Sequence, residues 1–353
     1  MSFFAWQIEL TTRCPLRCRM CIRDSSKDWH AGDMAIADFK KLTPYFKSVE
    51  NVVLEGWGES LLYKDLIEAI GIVKGAGSHP GFVTSGWGLN QNYVCDLIKG
   101  GLDFIGFSLA GATPETHDAI RINSHLPSIL QAIQEFIKIK ADLKIERPNL
   151  HIVFLMLKDN VAEIPLLLDL AKRIGIEVVV LINLVHVTNE WQNDQKVFSC
   201  GNEESASFLE EAKIKARELK ITLRECCVAP QTLAVCEEDP MRNLFISVDG
   251  EVAPCVYLYP PIPSTIRRIY CDKDSSIGKL TFGNIFAGPL ERIWNSKDYV
   301  EFREYFKVRK KIFERLYSFS SIALDAERLR RSRETVLPNP PAPCATCHRM
   351  LGI

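Results

Sequence analysis

The feature that most constrains this chain is the order of strand-like and helix-like segments before residue 190. Trp6–Thr11, Asn51–Glu55, Gly81–Thr84, Asp103–Leu109, Leu150–Leu157 and Ile176–Val185 read as strands. Between them Met34–Val49, Lys64–Gly75, Leu89–Lys99, Pro114–Ile120, Leu126–Lys140 and Ala162–Ile174 carry helical periodicity, with Asp33 placed to cap the first. Regular alternation with crossover helices requires a parallel sheet, so the expected fold class is α/β. Polar and glycine-rich stretches recur after the strands, where such sheets carry their sites.

The pattern changes after Val187. Asn189–Gly201 reads as a linker and Asn202–Leu219 as an amphipathic helix. Asn243–Val248 and Glu251–Pro254 flank Asp249-Gly250, a strong hairpin turn. Ser296–Glu334 reads as a basic helical stretch, either a solvated face or a docking surface for an acidic partner or anionic substrate. The expected divisions are 1–190, 191–235 and 236–353. Lys+Arg 43 against Asp+Glu 44 argues against a whole-chain polyanion binder, and no nucleic-acid partner is expected. No apolar run is long enough to span a bilayer and the N-terminus has no basic, cleavable leader, so a soluble cytoplasmic protein without a membrane partner is expected. Gly75-Ala-Gly77-Ser-His-Pro-Gly81 precedes a strand instead of following one, which disfavours a nucleotide loop.

Twelve cysteines in such a chain point to metal or catalysis before disulfides. Cys14, Cys18 and Cys21 form C-x3-C-x2-C on the loop after the first strand. Cys236 and Cys255 flank the expected hairpin, and Cys344 and Cys347 form C-x2-C in the tail. Cys95, in a helical pattern, reads as a buried apolar residue, and Cys200, Cys226, Cys227 and Cys271 show no ligand spacing. Three thiolates on one loop suit a [4Fe–4S] cluster with one iron left open. A structural zinc site would want a fourth ligand, and His30, the nearest histidine, is nine residues beyond Cys21.

Cys14-Pro-Leu-Arg-Cys18-Arg-Met-Cys21 resembles the signature of the radical S-adenosylmethionine (SAM) enzymes. Gly56-Trp-Gly-Glu-Ser60 after the second strand resembles that family's Gly-Gly-Glu motif, and Thr84-Ser85-Gly86 its Thr-Asn-Gly segment. Ser108-Leu-Ala-Gly111, followed by His117-Asp118-Ala-Ile120-Arg121, resembles its fourth-strand segment. The resemblance covers residues 6–187 and implies a partial (β/α)6 TIM-like barrel. It implies SAM contacts through Met20, Gly58, Glu59, Ser85, Ser108 and Arg121, beside a cluster held by Cys14, Cys18 and Cys21. Two positions depart from the pattern: Met20 stands where an aromatic residue is usual, and Trp57 replaces the first glycine of Gly-Gly-Glu. The chemistry implied is one-electron cleavage of SAM bound to the open iron. It yields methionine and a 5′-deoxyadenosyl radical that takes a hydrogen atom from a substrate.

Ser247-Val-Asp-Gly250-Glu-Val-Ala-Pro-Cys255, with Gly283-Asn-Ile285 and Leu290-Glu-Arg-Ile-Trp294, resembles the SPASM/Twitch extension of radical SAM maturases. With no cysteines after Cys347, the shorter Twitch form is expected: a smaller C-terminal domain of hairpin plus helices. It implies an auxiliary [4Fe–4S] cluster on Cys236, Cys255, Cys344 and Cys347, with Cys226 or Cys227 competing with Cys236 and a four-cysteine zinc site as the alternative. The first strand begins by Trp6, which leaves no room for a leader-peptide clamp. Val256 and Tyr257 stand where some relatives place an acid, which disfavours a sulfatase-maturase type of dehydrogenation. The substrate expected is a protein, peptide or small molecule such as a cofactor precursor, with an electron donor such as ferredoxin or flavodoxin. The tail resembles proteins proposed to mature tungsten- or molybdenum-cofactor oxidoreductases. A non-catalytic iron–sulfur electron carrier or scaffold is the reading from another class, and it has no use for the SAM-contact segments.

Overall fold

A computed structural model describes residues 1–26, 28–198, 207–263, 265–317 and 337–353. Its strands are β1 (Phe3–Ile8), β2 (Arg17–Cys18), β3 (Val49–Val53), β4 (His79–Thr84), β5 (Phe104–Leu109), β6 (Arg121–Ile122) and β7 (Asn149–Leu155). They continue with β8 (Val178–Ile182), β9 (Thr222–Arg224), β10 (Asn243–Ile246), β11 (Val252–Ala253), β12 (Ile266–Tyr270) and β13 (Lys273–Ile277). The helices are α1 (Ile36–Lys40), α2 (Thr43–Phe46), α3 (Leu66–Gly75), α4 (Gln91–Lys99), α5 (Pro114–Ile120) and α6 (Leu126–Leu143). After them come α7 (Ile164–Ile174), α8 (Glu190–Gln195), α9 (Ser207–Leu219), α10 (Leu290–Trp294) and α11 (Lys297–Tyr317).

One nine-stranded sheet runs in the order β11-β10-β1-β3-β4-β5-β7-β8-β9. Every pairing in it is parallel except β10 with β11. β1, β3, β4, β5, β7 and β8 are the six strands anticipated, each followed by helix, so the fold is the α/β partial barrel. The sheet extends further at both ends. α9 crosses back to deliver β9 as an additional parallel strand beside β8. The β10–β11 hairpin pairs with β1, Ala5 opposite Asn243 and Ile8 opposite Ile246, so the second cysteine region grows out of the barrel's first edge. The β12–β13 hairpin stands apart as its own two-stranded sheet.

Local chemistry explains the boundaries. β1 starts three residues before the expected strand because Phe3 and Trp6 are both buried, stacking edge-on at 5.4 Å. The expected single helix over Met34–Val49 is two short helices, α1 and α2, because Thr43-Pro44 restarts the backbone after Leu42. Asn90, Thr113 and Asn189 cap α4, α5 and α8 by accepting the amides of Tyr93, Thr116 and Gln192. Gly175, at φ 81°, ends α7 in the left-handed conformation. The expected linker contains α8. Cys200, and the basic stretch beyond Tyr317, lie outside the described residues. Among the described residues no helix is long and apolar enough to cross a membrane.

Candidate functional site

The first cysteine loop leaves β1 at the C-terminal end of the sheet and is tied down on every side. Thr11 Oγ1 donates to Asp33 Oδ1 at 2.6 Å, and Arg13 holds the same carboxylate at 2.8 and 2.5 Å. Thr12 Oγ1 donates to the His30 carbonyl at 2.7 Å, and Trp29 Nε1 to the Thr12 carbonyl at 3.0 Å. β2 pairs antiparallel with β6, setting Cys18 opposite Arg121, and the Arg19 amide reaches the Ile120 carbonyl at 3.1 Å. From inside, the Arg23 guanidinium donates to the carbonyls of Cys14, at 2.6 Å, and Leu16. The result presents Cys14, Cys18 and Cys21 half-buried and within electrostatic reach of one another, of Arg23 and, for Cys18 and Cys21, of Arg121. Burial raises all three thiols, Cys14 and Cys21 to about 11. Thiols held that high are protonated at neutral pH, so a bound cation must supply the drive to thiolate.

Gly56-Trp-Gly-Glu-Ser60 after β3 packs under this loop. A Cβ on Gly58 would lie 2.3 Å from the Thr11 carbonyl oxygen and 2.7 Å from that of Arg13, so only glycine fits. A Cβ on Gly56 would lie 2.4 Å from the Glu9 side chain. The Glu59 amide donates to the Arg13 carbonyl at 2.8 Å. The buried Glu59 carboxylate accepts Thr84 Oγ1 and Ser85 Oγ, both at 2.6 Å, the Ser85 amide at 2.8 Å and the Leu61 amide at 3.2 Å. Glu59 therefore locks the β3 loop to the β4 loop, and Ser85 directs both its donors into that lock.

The other anticipated SAM contacts gather at the same end of the sheet. Met20, within the cysteine loop itself, is 9% exposed. Ser108 is half-buried on β5, opposite Val153. Arg121 keeps a buried Nε with no partner. His117 accepts the Ala110 amide on Nδ1 at 3.2 Å and donates from Nε2 to Ser124 Oγ at 3.0 Å. Burial lowers its pKa to about 3, so the imidazole stays neutral while it shapes the β5–β6 turn.

The second set converges from three segments. Cys236 precedes β10, Cys255 follows β11, and Cys344 and Cys347 flank the end of a short 3-10 turn in the tail. Burial pushes the Cys255 and Cys344 thiols well up, and each is raised further by its cysteine neighbours: Cys236, Cys344 and Cys347 around Cys255, Cys347 and Cys236 around Cys344. Cys236 is raised to about 12, by burial and then by Cys347. Cys226 is half-buried, and after burial the strongest charge acting on it is Arg349. Cys227 is exposed. Soft sulfur donors, four together in one place and three in the other, fit iron–sulfur clusters. Among the described residues, no three His, Cys, Asp or Glu side chains are grouped as ligands of a single metal ion.

A half-buried aromatic and acidic cluster around His186 was missed by sequence reasoning. Trp57 faces His186 at 5.3 Å and Tyr257 at 6.4 Å between ring centroids; His186 and Tyr257 are 5.5 Å apart. Both His186 nitrogens and Trp57 Nε1 are buried without a partner. Glu9 accepts the Trp57 amide at 2.8 Å and is raised to about 8, chiefly by burial. Glu55 accepts the Val83 amide at 2.7 Å and is raised to about 7, again by burial first. Trp57, the departure from the Gly-Gly-Glu pattern, was the one sequence signal pointing here.

Comparisons with known proteins agree with this geometry. Residues 8–171 match the Radical SAM superfamily, and residues 236–316 match the SPASM iron–sulfur cluster-binding domain. The chain is a radical SAM enzyme. Its SAM-binding [4Fe–4S] cluster and SAM belong to the first of these domains, and auxiliary iron–sulfur binding to the second. Being an enzyme, it is not the bare electron carrier kept as the competing reading. This radical SAM enzyme is 26% identical, over 84% of its length and 82% of the relative's, to a Pyrococcus furiosus protein called tungsten-containing aldehyde ferredoxin oxidoreductase cofactor-modifying protein. It is 31% identical to a PqqA peptide cyclase of Methylocella silvestris, but over only 32% of this chain and 30% of that one. Among solved structures it resembles Streptococcus suis SuiB bound to S-adenosylmethionine, with TM-score 0.62, 13% identity, and coverage of 86% of this chain and 68% of that one. It also resembles anSMEcpe with bound AdoMet, with TM-score 0.61, 14% identity, and coverage of 94% and 95%.

Proposed function

We propose that this enzyme is a maturase that modifies a cofactor precursor of a tungsten- or molybdenum-containing oxidoreductase. One observation carries the reading: the likeness to the Pyrococcus furiosus cofactor-modifying protein runs through 84% of the chain, whereas that to the PqqA peptide cyclases runs through about a third. Peptide modification, the activity named for those cyclases, is the second reading. In both readings the SAM-loaded cluster supplies a 5′-deoxyadenosyl radical.

The residues then divide the work. Cys14, Cys18 and Cys21 hold the first cluster, with Arg23 bracing their loop through the Cys14 and Leu16 carbonyls. Gly58 lets the β3 loop lie against the Thr11 and Arg13 carbonyls, and Glu59 ties it to Ser85, so these backbones form a fixed seat for SAM. Met20, Ser108 and Arg121 complete that seat. Cys236, Cys255, Cys344 and Cys347 hold one auxiliary cluster, as in the shorter Twitch form; their mutual electrostatic reach supports Cys236 over Cys226. The half-buried rings of Trp57 and Tyr257, packed over the buried His186, limit water on the substrate side. The working divisions are 1–190 for the barrel core, 191–235 for the connection and 236–353 for the auxiliary domain. The setting is the cytoplasm, with ferredoxin or flavodoxin as electron donor. The test is 5′-deoxyadenosine formation by reduced, reconstituted enzyme with cofactor precursor released from a tungsten oxidoreductase, against a matched PqqA-type peptide. Stimulation by the precursor supports the proposal; stimulation by the peptide alone overturns it in favour of the second reading.

A further inference from the structure

Two buried arginines stand beside the tail cysteines, and they differ in one respect. Arg309, on α11, directs its whole guanidinium to main-chain carbonyls: Nε to Ala234 at 3.1 Å, Nη2 to Leu233 at 2.6 Å, and Nη1 to Pro338. It fastens α11 to the segment before Cys236 and to the tail, and every one of its three nitrogens has an acceptor. Arg268, on β12 opposite Ser275, is 0% exposed. Its Nη1 donates to the Pro343 carbonyl at 3.0 Å and, at 3.4 Å, to Thr346 Oγ1. Those two residues directly precede Cys344 and Cys347. Its Nε and Nη2 have no partner, and no carboxylate among the described residues pairs with it.

A fully buried guanidinium with two unused donors and no counter-anion is strongly unfavourable unless something anionic completes it. The neighbouring histidines His186 and His348 are neutral or cationic in either protonation state, so neither is that anion. Cysteine sulfur can be: Arg268 already bonds Pro343 and Thr346, the residues next to Cys344 and Cys347. Four thiolates around a [4Fe–4S] core carry a net negative charge that grows by one on reduction.

We propose that Arg268 is a positioning residue of the auxiliary cluster: it orients the tail cysteines through Nη1 and donates Nε–H and Nη2–H to cluster sulfur, raising the reduction potential. This rests on the auxiliary-cluster reading above. N–H···S donors and a fixed positive charge stabilise the reduced, more negative state, so the arginine tunes this cluster to accept an electron. Arg309 shares its sign and neighbourhood, but each of its three nitrogens already has a carbonyl acceptor, whereas two of the three on Arg268 have none.

The test uses the full chain with Cys14, Cys18 and Cys21 all changed to Ala, so that the auxiliary cluster is observed alone. Iron and sulfide are measured first, then the midpoint potential by EPR-monitored titration, in backgrounds carrying Arg268, Arg268→Lys or Arg268→Met. The expected result is iron retained in all three. Arg268→Met should shift the reduction equilibrium at least about tenfold toward the oxidised state, about 59 mV for one electron. Arg268→Lys should fall between. A chain with Arg268 intact that binds no iron would sink the auxiliary-cluster reading itself. A loaded Arg268→Met cluster with an unmoved potential overturns the inference and leaves that reading standing. Should Arg268→Met fail to load, pulsed EPR of the Arg268 chain grown on 15N-arginine decides: a 15N coupling to the reduced cluster supports the contact, and its absence overturns it.

Discussion

The three cysteines of the first site lie within eight residues of one loop, whereas the four of the second are drawn from positions 236, 255, 344 and 347. The first is held by neighbours in sequence and by the sheet beneath it: Asp33, Arg23 and the β2–β6 pairing each fasten a piece of the loop. The second depends on long-range clamps, Arg309 between α11 and Leu233, Ala234 and Pro338, and Arg268 on the tail. A local site survives the loss of distant chain; a site closed from three segments does not.

The sharpest test of that contrast is Cys18→Ala. The other two thiols cannot present a cluster with an open iron, so formation of 5′-deoxyadenosine by reduced protein should fall to background. Iron content should drop from about eight to about four per chain, because none of the hydrogen bonds described for the 14–21 loop runs to Cys236, Cys255, Cys344 or Cys347. Equal 5′-deoxyadenosine from variant and wild type would contradict the assignment of Cys18.

Removing residues 344–353 is the reciprocal experiment. It deletes two thiols and one of the two acceptors of Arg268, Thr346 Oγ1, and half the iron should go with them. Slow SAM cleavage without substrate should persist, since the barrel loops keep every tie described above, while turnover of the true substrate fails. Retention of both clusters would transfer the ligand role to Cys226 or another thiol.

How much could be read in advance follows the same division. The βα alternation and the C-x3-C-x2-C spacing are short-range signals, and the barrel strands and the grouping of three cysteines on one loop were legible from them. Two features were not. β9 and the extension of the sheet by β10 depend on pairings between residues far apart in sequence, such as Ala5 with Asn243, which periodicity does not encode. The roles of Glu9, Glu55 and His186 are set by burial and by the groups that close over them, and a lone acid or histidine at a strand end carries no such mark. Glu59 was anticipated for the right loop, but its lock on Thr84 and Ser85 emerges only from the fold.

Gly58→Ala probes how finely the local site is seated. The added Cβ meets two main-chain carbonyl oxygens that cannot swing aside, so the β3 loop must lift from the cysteine loop. The cost is of the order of 1–3 kcal/mol, which corresponds to a fall in SAM-cleavage rate of about fivefold to 150-fold. Auxiliary iron should be unchanged. A variant with wild-type SAM cleavage would show that the seat is looser than its geometry.

The smallest effect is a pH dependence that joins the two regions. Glu9 is buried where the cysteine loop, the β3 loop and the β10–β11 turn meet, bonded to the Trp57 amide at 2.8 Å and near the Val248 amide at 3.5 Å. Burial raises its pKa to about 8, with Asp249 adding to the rise and Lys279 opposing it. The fold therefore holds a proton on Glu9 that the unfolded chain has already released above its ordinary value of 4.5. Folding stability from this group is fully present below 4.5, declines as pH rises from there, and levels off above about 8. Glu55, raised to about 7, slopes the same way over a narrower range. Glu9→Gln keeps an acceptor for the Trp57 amide and cannot ionise, so it should remove the Glu9 share and leave that of Glu55. Melting temperatures of the two proteins should agree near pH 5 and separate by a few degrees near pH 9, the variant being the more stable. Parallel curves across that range would mean Glu9 is ionised in the fold, held by Lys279 instead of by burial.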